Sequence, residues 1–378
     1  MEQAQDIIIS WRSVMLAMPA IASLLCLAHL YIRDLERPAL RWLAAFVIAA
    51  LVSSIPMIIG FSGAYKIWPG LTFLPVNLTL AIGPMFYLHA ARLMEQGRKA
   101  FEPLLFLPFA LHYAYQWWAF TSLGDYRAKW DFNNAWHEPV IMPLAAAAAL
   151  VLAGWALLAV RRMHRRYVGW LEDSRSDGDA FEANWIGTFL KLTVPLAVVW
   201  GLIELAGPQL GLGYVDTFWP EFALQAVIFI MCMEALGRIQ RPYPKMPQDT
   251  AVDAAGRAQA DTDQPRDWQA EGERIGNAIR DGEWFLEPAL SLQDVARRCA
   301  TNQAYVSRAF NRGRDETFGH FVNGLRVARA QELMKRTDVP LIDIALEAGF
   351  GSKASFNRAF RLHAGMAPSS WRSARLNS

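Results

Sequence analysis

The sequence predicts an all-α protein, with a polytopic membrane domain of seven helices followed by a soluble helical domain. Residues 12–237 are rich in Leu, Ala, Ile, Val, Phe and Trp, whereas residues 238–378 have the composition of a soluble protein. In that second part apolar residues recur at helical spacing. We therefore place a membrane domain at 1–237, a linker at 238–267 and a soluble domain at 268–378.

Seven apolar stretches are long enough to cross a membrane. A bilayer core needs about 20 mainly apolar residues in a helix, and these runs are too long and unalternated for barrel strands. The predicted spans are residues 13–32, 40–60, 71–93, 102–120, 139–160, 185–207 and 216–237. The first is expected to be a retained span, because no basic run and no cleavage site of the secretory type surrounds it.

The distribution of positive charge predicts the orientation of the spans. The loops after spans 1, 3 and 5 and the start of the tail carry 14 Lys and Arg, whereas the opposite side carries 4. Positively charged loops stay on the cytoplasmic side. The expected location is therefore the cytoplasmic membrane, with multiple passes, the N-terminus outside and the C-terminal domain in the cytoplasm.

The stretch between the two domains has the composition of a flexible linker. Residues 241–267 are rich in Pro, Ala, Gln and Asp and show no apolar periodicity. Such a segment buries too little surface to fold alone. A flexible chain of this length reaches roughly 25–30 Å, enough to hold a soluble domain beside the membrane.

No residue pattern indicates catalysis or a metal. Cys26, Cys232 and Cys299 are isolated, without the spacing of a metal site or a disulfide framework. The chain also has no HExxH, no GxSxG, no phosphate-binding loop and no paired carboxylates of the enzyme type. The sequence therefore predicts no enzyme activity, no catalytic residue, no cofactor and no metal ion.

The tail contains a first pair of helices joined by a short turn. Ser291 followed by Asp294 is typical of a capping box at a helix start. A turn is expected at Ala300 and Thr301, and a second helix at 302–311. The apolar positions of the two helices recur at i, i+3 and i+4, namely Leu292, Val295, Ala296, Val306, Ala309 and Phe310.

A second pair of helices follows from Pro340, a residue suited to the first helical position because it has no N–H to satisfy. The turn is expected at Gly349-Phe350-Gly351, where glycine permits a positive φ. Ser352 is expected to cap the last helix. The apolar stripes of this pair are Leu341, Ile344 and Ala345, and then Phe356, Ala359 and Phe360.

These residues resemble the DNA-binding domain of the AraC/XylS family. The stretch PLIDIALEAGFGSKASFNRAFRLHAGMAPSSWR (340–372) has the family's Pro-led helix, Ile-Ala, Gly-Phe, S-F-x-R-x-F helix, G-x-x-P and aromatic-Arg pair. The first half, residues 286–334, also fits. The resemblance covers about 100 residues, just over a quarter of the chain. One departure is that Arg314-Asp315-Glu316 stands where the family often has a glycine, which leaves the shape of that loop open.

The resemblance implies two recognition helices that enter adjacent major-groove segments of double-stranded DNA, about 34 Å apart. Polar and basic side chains on their outer faces match the base edges of that groove, and some are expected to contact phosphate instead. A basic excess of 14 Lys and Arg over 7 Asp and Glu in residues 294–378 suits this partner. The predicted DNA-binding residues are Asn302, Gln303, Ser307, Arg308, Ser352, Lys353, Ser355, Asn357 and Arg358.

Polar residues within the spans indicate where a signal would be sensed, since such residues are costly in a membrane. By the predicted orientation several lie near the outer face, and we interpret them as a sensor pocket open to the outside. They are His112, Tyr115, Gln116, Glu204, Glu221 and Gln225. The alternative is that each is interfacial or hydrogen-bonded between helices.

The sequence therefore favours a membrane-bound transcription regulator whose partners are DNA, the lipid bilayer and an unidentified small-molecule or protein signal. Pairing with a second copy is left open. One alternative is a seven-helix receptor or transporter whose tail binds a protein. Another is a regulator released by proteolysis of the linker.

Overall fold

A computed structural model of the chain describes ten stretches. They are residues 10–32, 37–71, 73–97, 99–181, 184–206, 211, 215–236, 243–246, 267–336 and 339–376. Within these stretches the regular elements are helices, and the extended pairings are two isolated bridges, Glu95 with Met246 and Arg175 with Ser291. The all-α prediction is confirmed. The predicted linker lies outside the described residues except for 243–246 and Asp267.

The chain divides into two compact units, one of residues 1–164 and 183–247 and the other of residues 165–182 and 248–378. The second unit thus includes 165–182, which the sequence placed in the loop after the fifth span. The predicted domain boundaries are at residues 237 and 267. The structure describes the chain around them only in part, so these boundaries stay a prediction.

The first unit is built from long helices with short connections. Its α-helices, one of which ends in the second unit, are α1 (Trp11–Ile32), α2 (Arg37–Phe61), α3 (Ala64–Ile67), α4 (Thr79–Met94), α5 (Leu107–Ser122), α6 (Tyr126–Phe132), α7 (Met142–Ser174), α8 (Asn184–Ala206) and α9 (Phe218–Leu236). Helix α2 packs against α1 and α4, while α9 packs against α1 and α8. Their core includes Phe86 and Phe189, whose ring centroids are 4.6 Å apart.

Five helices of the described part are long and apolar enough to cross a membrane. They are Trp11–Ile32, Pro38–Phe61, Tyr126–Ser174, Ile186–Ile203 and Phe218–Leu236. The third of these consists of α6, the helical segment Asn133–Ile141 and α7. Large apolar side chains such as Leu25, Val151 and Leu202 lie exposed on them, as on helices that face lipid. The other two predicted spans correspond to α4 and α5, which have 16 residues each, about 24 Å of helix. The count of seven spans stays a prediction.

The helix that corresponds to the third predicted span begins eight residues later than the predicted start of that span. The sequence placed it at Leu71, but α4 begins at Thr79. The chain before it is turned and irregular, and Phe73 has a positive φ of 67°. The Asn77 side chain accepts a hydrogen bond from the Thr79 amide at 3.1 Å. That local bond favours a turn over a continuing helix.

Helix α7 continues beyond the predicted end of the fifth span at residue 160, as far as Ser174. The extension carries the arginines that the sequence assigned to a cytoplasmic loop. Buried apolar side chains recur along it at helical spacing, namely Val160, Met163, Tyr167 and Leu171. The helix thus leaves the apolar stretch and continues as an amphipathic helix.

The tail of the second unit has seven helices among its described residues. They are α10 (Trp268–Asp281), α11 (Leu292–Arg298), α12 (Gln303–Gly313), α13 (Phe318–Arg336), α14 (Leu341–Glu347), α15 (Lys353–Ala364) and α16 (Pro368–Leu376). Two apolar cores form, one around Val295, Phe310 and Phe321 and one around Ile344 and Phe360. The long α13 contributes side chains to both cores.

The position of Pro340 differs from the sequence prediction. The shape of the loop at 314–316, which the sequence left open, is also visible. Pro340 precedes α14 as its cap residue instead of opening it. In the loop where the family often has glycine, Asp315 takes the left-handed conformation, with φ 53°. Asp visits that region more readily than most residues, so the turn forms without a glycine.

Candidate nucleic-acid interface

The first helix pair begins at the predicted capping box. The Ser291 hydroxyl accepts a hydrogen bond from the Asp294 amide at 3.3 Å, and the Asp294 carboxylate accepts from the Ser291 amide at 3.1 Å. Burial acts to raise the pKa of Asp294, but the hydrogen bonds from Ser291 and the nearby Arg297 and Arg298 outweigh it, and the net pKa is lowered. The carboxylate therefore stays charged and fixes the start of α11.

Helix α12 corresponds to the first predicted recognition helix. Its cap is Asn302, whose side-chain oxygen accepts from the Tyr305 amide at 2.8 Å. The inner face of this helix consists of three fully buried side chains, Val306, Ala309 and Phe310. The opposite face is thereby turned away from the core.

Helix α15 corresponds to the second predicted recognition helix. The turn before it contains Gly349, with φ 90°, as the sequence predicted. Ser352 caps the helix by accepting a hydrogen bond from the Ser355 amide at 3.1 Å. Phe356 and Phe360 anchor the helix in the second core.

The predicted DNA-binding residues lie on the surfaces of these two helices and their caps. The exposed ones are Asn302, Gln303, Ser352, Lys353 and Arg358. The half-buried ones are Ser307, Arg308, Ser355 and Asn357. Base contact by each of these residues stays a prediction.

Three of these residues also stabilise the helix ends. Asn302 and Ser352 cap α12 and α15, and the Ser355 hydroxyl donates to the Ser352 carbonyl at 2.9 Å. Their role in the fold is thus visible without DNA. Gln303, Lys353, Asn357 and the two arginines Arg308 and Arg358 remain the stronger candidates for base edges or phosphates.

Both recognition helices carry positive charge without acidic neighbours on the same helix. The sequence 303–313 has Arg308 and Arg312, and the sequence 353–364 has Lys353, Arg358 and Arg361, with no Asp or Glu in either. Positive faces of this kind attract phosphate and suit guanine edges.

Two further exposed basic residues, Arg312 and Arg361, lie one turn after the predicted residues and were not predicted. Arg312 follows Arg308 by four positions, and Arg361 follows Asn357 by four. Because residues at i and i+4 share a helix face, that spacing was a usable signal.

A tight joint connects the two helix pairs. A Cβ at Gly349 would lie 2.7 Å from the Phe285 carbonyl oxygen and 2.8 Å from the Leu286 Cα. The Arg326 side chain, 1% exposed, donates to the same Phe285 carbonyl at 2.7 Å. Its guanidinium lies 5.7 Å from the Phe350 ring centroid. The second turn is therefore held against the chain that precedes the first pair.

The predicted sensor residues of the first unit form two clusters. In one, Gln116 holds the Asn77 peptide, accepting from its amide at 3.1 Å and donating to its carbonyl at 2.9 Å. Tyr115 hydrogen-bonds His137 at 2.7 Å, and the His112 ring lies 5.9 Å from the Tyr115 ring. His137 was not predicted, since the sequence places it in a polar stretch before the fifth span, where one histidine gives no pattern. The structure places it in the helical segment Asn133–Ile141.

The second cluster joins α2 and α9. Ser54 donates to Glu221, and Gln225 donates to the Ser54 hydroxyl at 2.5 Å and to Glu221 at 3.3 Å. The Glu204 side chain lies outside the described residues. These bonds match the alternative in which polar groups join helices, and the pocket itself stays a prediction.

Comparison with known proteins supports the prediction that the tail contains a helix-turn-helix domain. The model of a family described as "Helix-turn-helix domain" matches residues 295–374. The chain is 29% identical over 96 residues to the HTH-type transcriptional regulator CdhR of Pseudomonas aeruginosa, covering 25% of this chain and 29% of that protein. It is 33% identical over 86 residues to the melibiose operon regulatory protein of Escherichia coli, covering 23% and 28%.

A third relative is the regulatory protein SoxS of Salmonella typhimurium, 28% identical over 93 residues, which are 24% of this chain and 87% of that protein. The chain thus spans less than a third of the first two relatives and most of the third. No solved structure matches. The matched region is a helix-turn-helix domain of the AraC type, and the relatives that it resembles are transcription regulators.

Proposed function

We propose that this chain, whose C-terminal part is an AraC-type DNA-binding domain, is a membrane-bound regulator that couples an external signal to gene expression. The observation that carries the proposal is the presence of two basic recognition helices on a chain whose other unit exposes large apolar side chains on membrane-length helices. We assign the membrane domain to 1–237, the linker to 238–267 and the DNA-binding domain to 268–378.

Double-stranded DNA is the proposed partner of the tail. Two recognition helices per chain let one chain bind two adjacent groove segments, so this proposal requires no second copy. Phosphate contacts by arginine and lysine make such binding strongly dependent on salt. The positive-inside pattern supports placing this domain in the cytoplasm, where the DNA lies.

The membrane domain is the proposed sensor. One span suffices for anchoring, whereas this unit has at least five membrane-length helices among its described residues. Glu221 and Gln225 of α9 lie between two of these helices, where both hydrogen-bond Ser54 of α2. Replacing Glu204→Gln together with Glu221→Gln is expected to blunt the response to the signal, with Glu138→Gln as a matched control. An unchanged response to every effective stimulus would exclude the pocket.

Genome-wide DNA occupancy tests the proposal as a whole. The full-length protein is expected to give discrete peaks that disappear in an Arg308→Ala/Arg358→Ala double variant, while both proteins fractionate equally with membranes. The absence of peaks from cells exposed to many stimuli, together with recovery of a protein partner on the tail, would favour the receptor or transporter alternative.

A further inference from the structure

The last turn of α7 and the residues that follow it pack on the DNA-binding domain within the second unit. We call residues 171–178 the docking arm. The buried Arg326 guanidinium donates from Nη2 to the Ser176 hydroxyl at 3.0 Å and from Nη1 to the Ser176 carbonyl at 3.3 Å. The same Nη2 also donates to the Glu287 carbonyl at 2.6 Å. A buried charge needs such a set of acceptors, and the arm supplies two of them.

The main chain of the arm pairs with the start of the first helix pair. The Ser176 amide donates to the Leu290 carbonyl at 3.1 Å, and its hydroxyl donates to the same carbonyl at 2.9 Å. Arg175 and Ser291 form an isolated antiparallel bridge. The arm therefore contacts the residues that open α11, the capping box included.

The first turn of α13 is shaped to receive the arm. A Cβ at Gly319 would lie 2.5 Å from the Glu172 carbonyl oxygen and 2.9 Å from the Arg175 carbonyl oxygen. Only glycine permits so close an approach of two backbones. This glycine has a helical conformation without positive φ, so its lack of a side chain is explained by the arm.

The arm is itself compact. Leu171, Ser174, Ser176 and Asp177 are buried. Arg175 pairs with Asp177 at 2.7 Å and lies 5.3 Å from the Phe181 ring centroid. The conformation that presents Ser176 is therefore fixed by contacts within the segment.

The arm reaches the joint between the two helix pairs. Arg326 contacts the arm, the Phe285 carbonyl and the Phe350 ring. Gly349 packs against that same Phe285 carbonyl. The position of the second recognition helix therefore depends on a guanidinium that the arm helps to hold.

We propose that the docking arm couples movement of α7 to DNA binding. The arm hydrogen-bonds Arg326 at the joint and so fixes the position of the two recognition helices relative to each other. The arm continues α7, whose first part the sequence places in the bilayer. A movement of α7 reaches DNA binding through Ser176, Arg326 and Phe350, without requiring the long linker to transmit it. This inference rests on the proposed function, since it assumes that the tail binds DNA.

Docking itself is tested by a disulfide in the full-length protein in its own membranes. Arg175→Cys and Ser291→Cys are introduced with Cys299→Ala, and a protease site is inserted in the linker. Opposed residues of an antiparallel pair have Cα atoms about 4.5–5.5 Å apart, within disulfide range. After mild oxidation with diamide and cleavage, the two fragments are expected to stay joined. Separation of the fragments would overturn the docked arm, whether or not the protein binds DNA.

Two variants that disturb the packing or the hydrogen bonds of the arm test whether the arm affects DNA binding. Gly319→Ala places a methyl group against the Glu172 carbonyl, and Ser176→Ala removes both hydroxyl hydrogen bonds. Each is expected to lower the yield of the disulfide and the occupancy of DNA by about tenfold, from overpacking or the loss of two bonds. Gly169→Ala, whose methyl group meets nothing within 4 Å, is the matched control and is expected to change neither.

The outcomes separate the two proposals. A joined parent with reduced disulfide yield and reduced occupancy in both variants supports coupling. Reduced disulfide yield with unchanged occupancy would overturn it and leave the arm a passive contact. Absence of DNA occupancy by the parent protein would contradict the proposed function, and the disulfide would still report on docking. Equal amounts of the variants in the membrane and equal resistance to proteolysis exclude a failure to fold.

Discussion

At the residue scale, Gly349 combines two constraints that seldom coincide. Its φ of 90° lies in the left-handed region, and its backbone lies against Phe285 and Leu286. The first constraint was visible in the sequence as a Gly-Phe-Gly turn. The second was not, because it depends on a chain segment more than 60 positions earlier.

Gly349→Ala is expected to lower the free energy of unfolding of the tail by about 2–4 kcal/mol. The left-handed conformation accounts for about 1–2 kcal/mol, and the methyl group against the Phe285 carbonyl adds an overpacking cost of similar size. Urea denaturation of a fragment of residues 267–378 measures it. Gly351→Ala, with the Pro288 Cβ at 3.9 Å, is the control and is expected to stay within about 0.5 kcal/mol of the parent. Equal effects at both glycines would contradict the account.

His363 is expected to make the stability of the tail sensitive to pH. Burial and the neighbouring His320, with a ring centroid 4.3 Å away, lower the pKa of His363 below 6.5, and Glu316 acts weakly against them. The unfolded chain therefore takes up the proton first as the pH falls. Stability is present in full above about pH 6.5 and is lost as the pH drops below that value.

His363→Gln is expected to flatten this loss. The free energy of unfolding of the same fragment, measured between pH 7.5 and 5.5, should fall less steeply in the variant than in the parent. Parallel slopes in the two proteins would show that His363 does not titrate differently in the folded and unfolded states.

At the scale of helices, the elements predicted from periodicity are confirmed. The capping box at Ser291, the apolar stripes of α12 and α15 and the turn at Gly349 all follow from residues within a few positions of one another. Local rules of capping and spacing suffice for such elements. The exposed faces of the recognition helices were therefore predictable from the sequence. The exception is the next turn of each face, which carries Arg312 or Arg361.

The remaining features depend on contacts between distant segments. Helix α4 starts at Thr79, and just before this start the Gln116 side chain hydrogen-bonds the amide and the carbonyl of Asn77. Hydropathy alone joins residues 71–93 into one span, since it does not register a turn made of apolar residues. The docking arm gave no signal either, because Ser176 and Arg326 are 150 positions apart.

Arg358 on α15 is expected to contribute about 1–3 kcal/mol to binding if it reads a guanine. Arg358→Ala should then weaken binding to the occupied sequence more than to random DNA at one salt concentration. An equal loss on both DNAs would assign it to phosphate. Arg280→Ala, on α10 and outside both helix pairs, removes the same charge and serves as the control.

At the scale of the whole molecule, the proposed orientation can be tested by labelling with a membrane-impermeant maleimide. Glu138→Cys lies on the predicted outer side and Arg162→Cys on the inner side, and both positions are exposed. Label is expected on the first variant in intact cells and on the second only after permeabilisation. The reverse pattern would place the DNA-binding domain outside and contradict the proposed function.

The central claim is that the intact, membrane-held chain binds DNA, and occupancy measured through either end of the protein tests it most directly. After cross-linking, an N-terminal tag recovers only molecules that retain the membrane domain, whereas a C-terminal tag also recovers a released tail. The account predicts the same peaks through both tags. Peaks through the C-terminal tag alone would show that a fragment released at the linker is the active regulator, and would contradict the tethered mechanism.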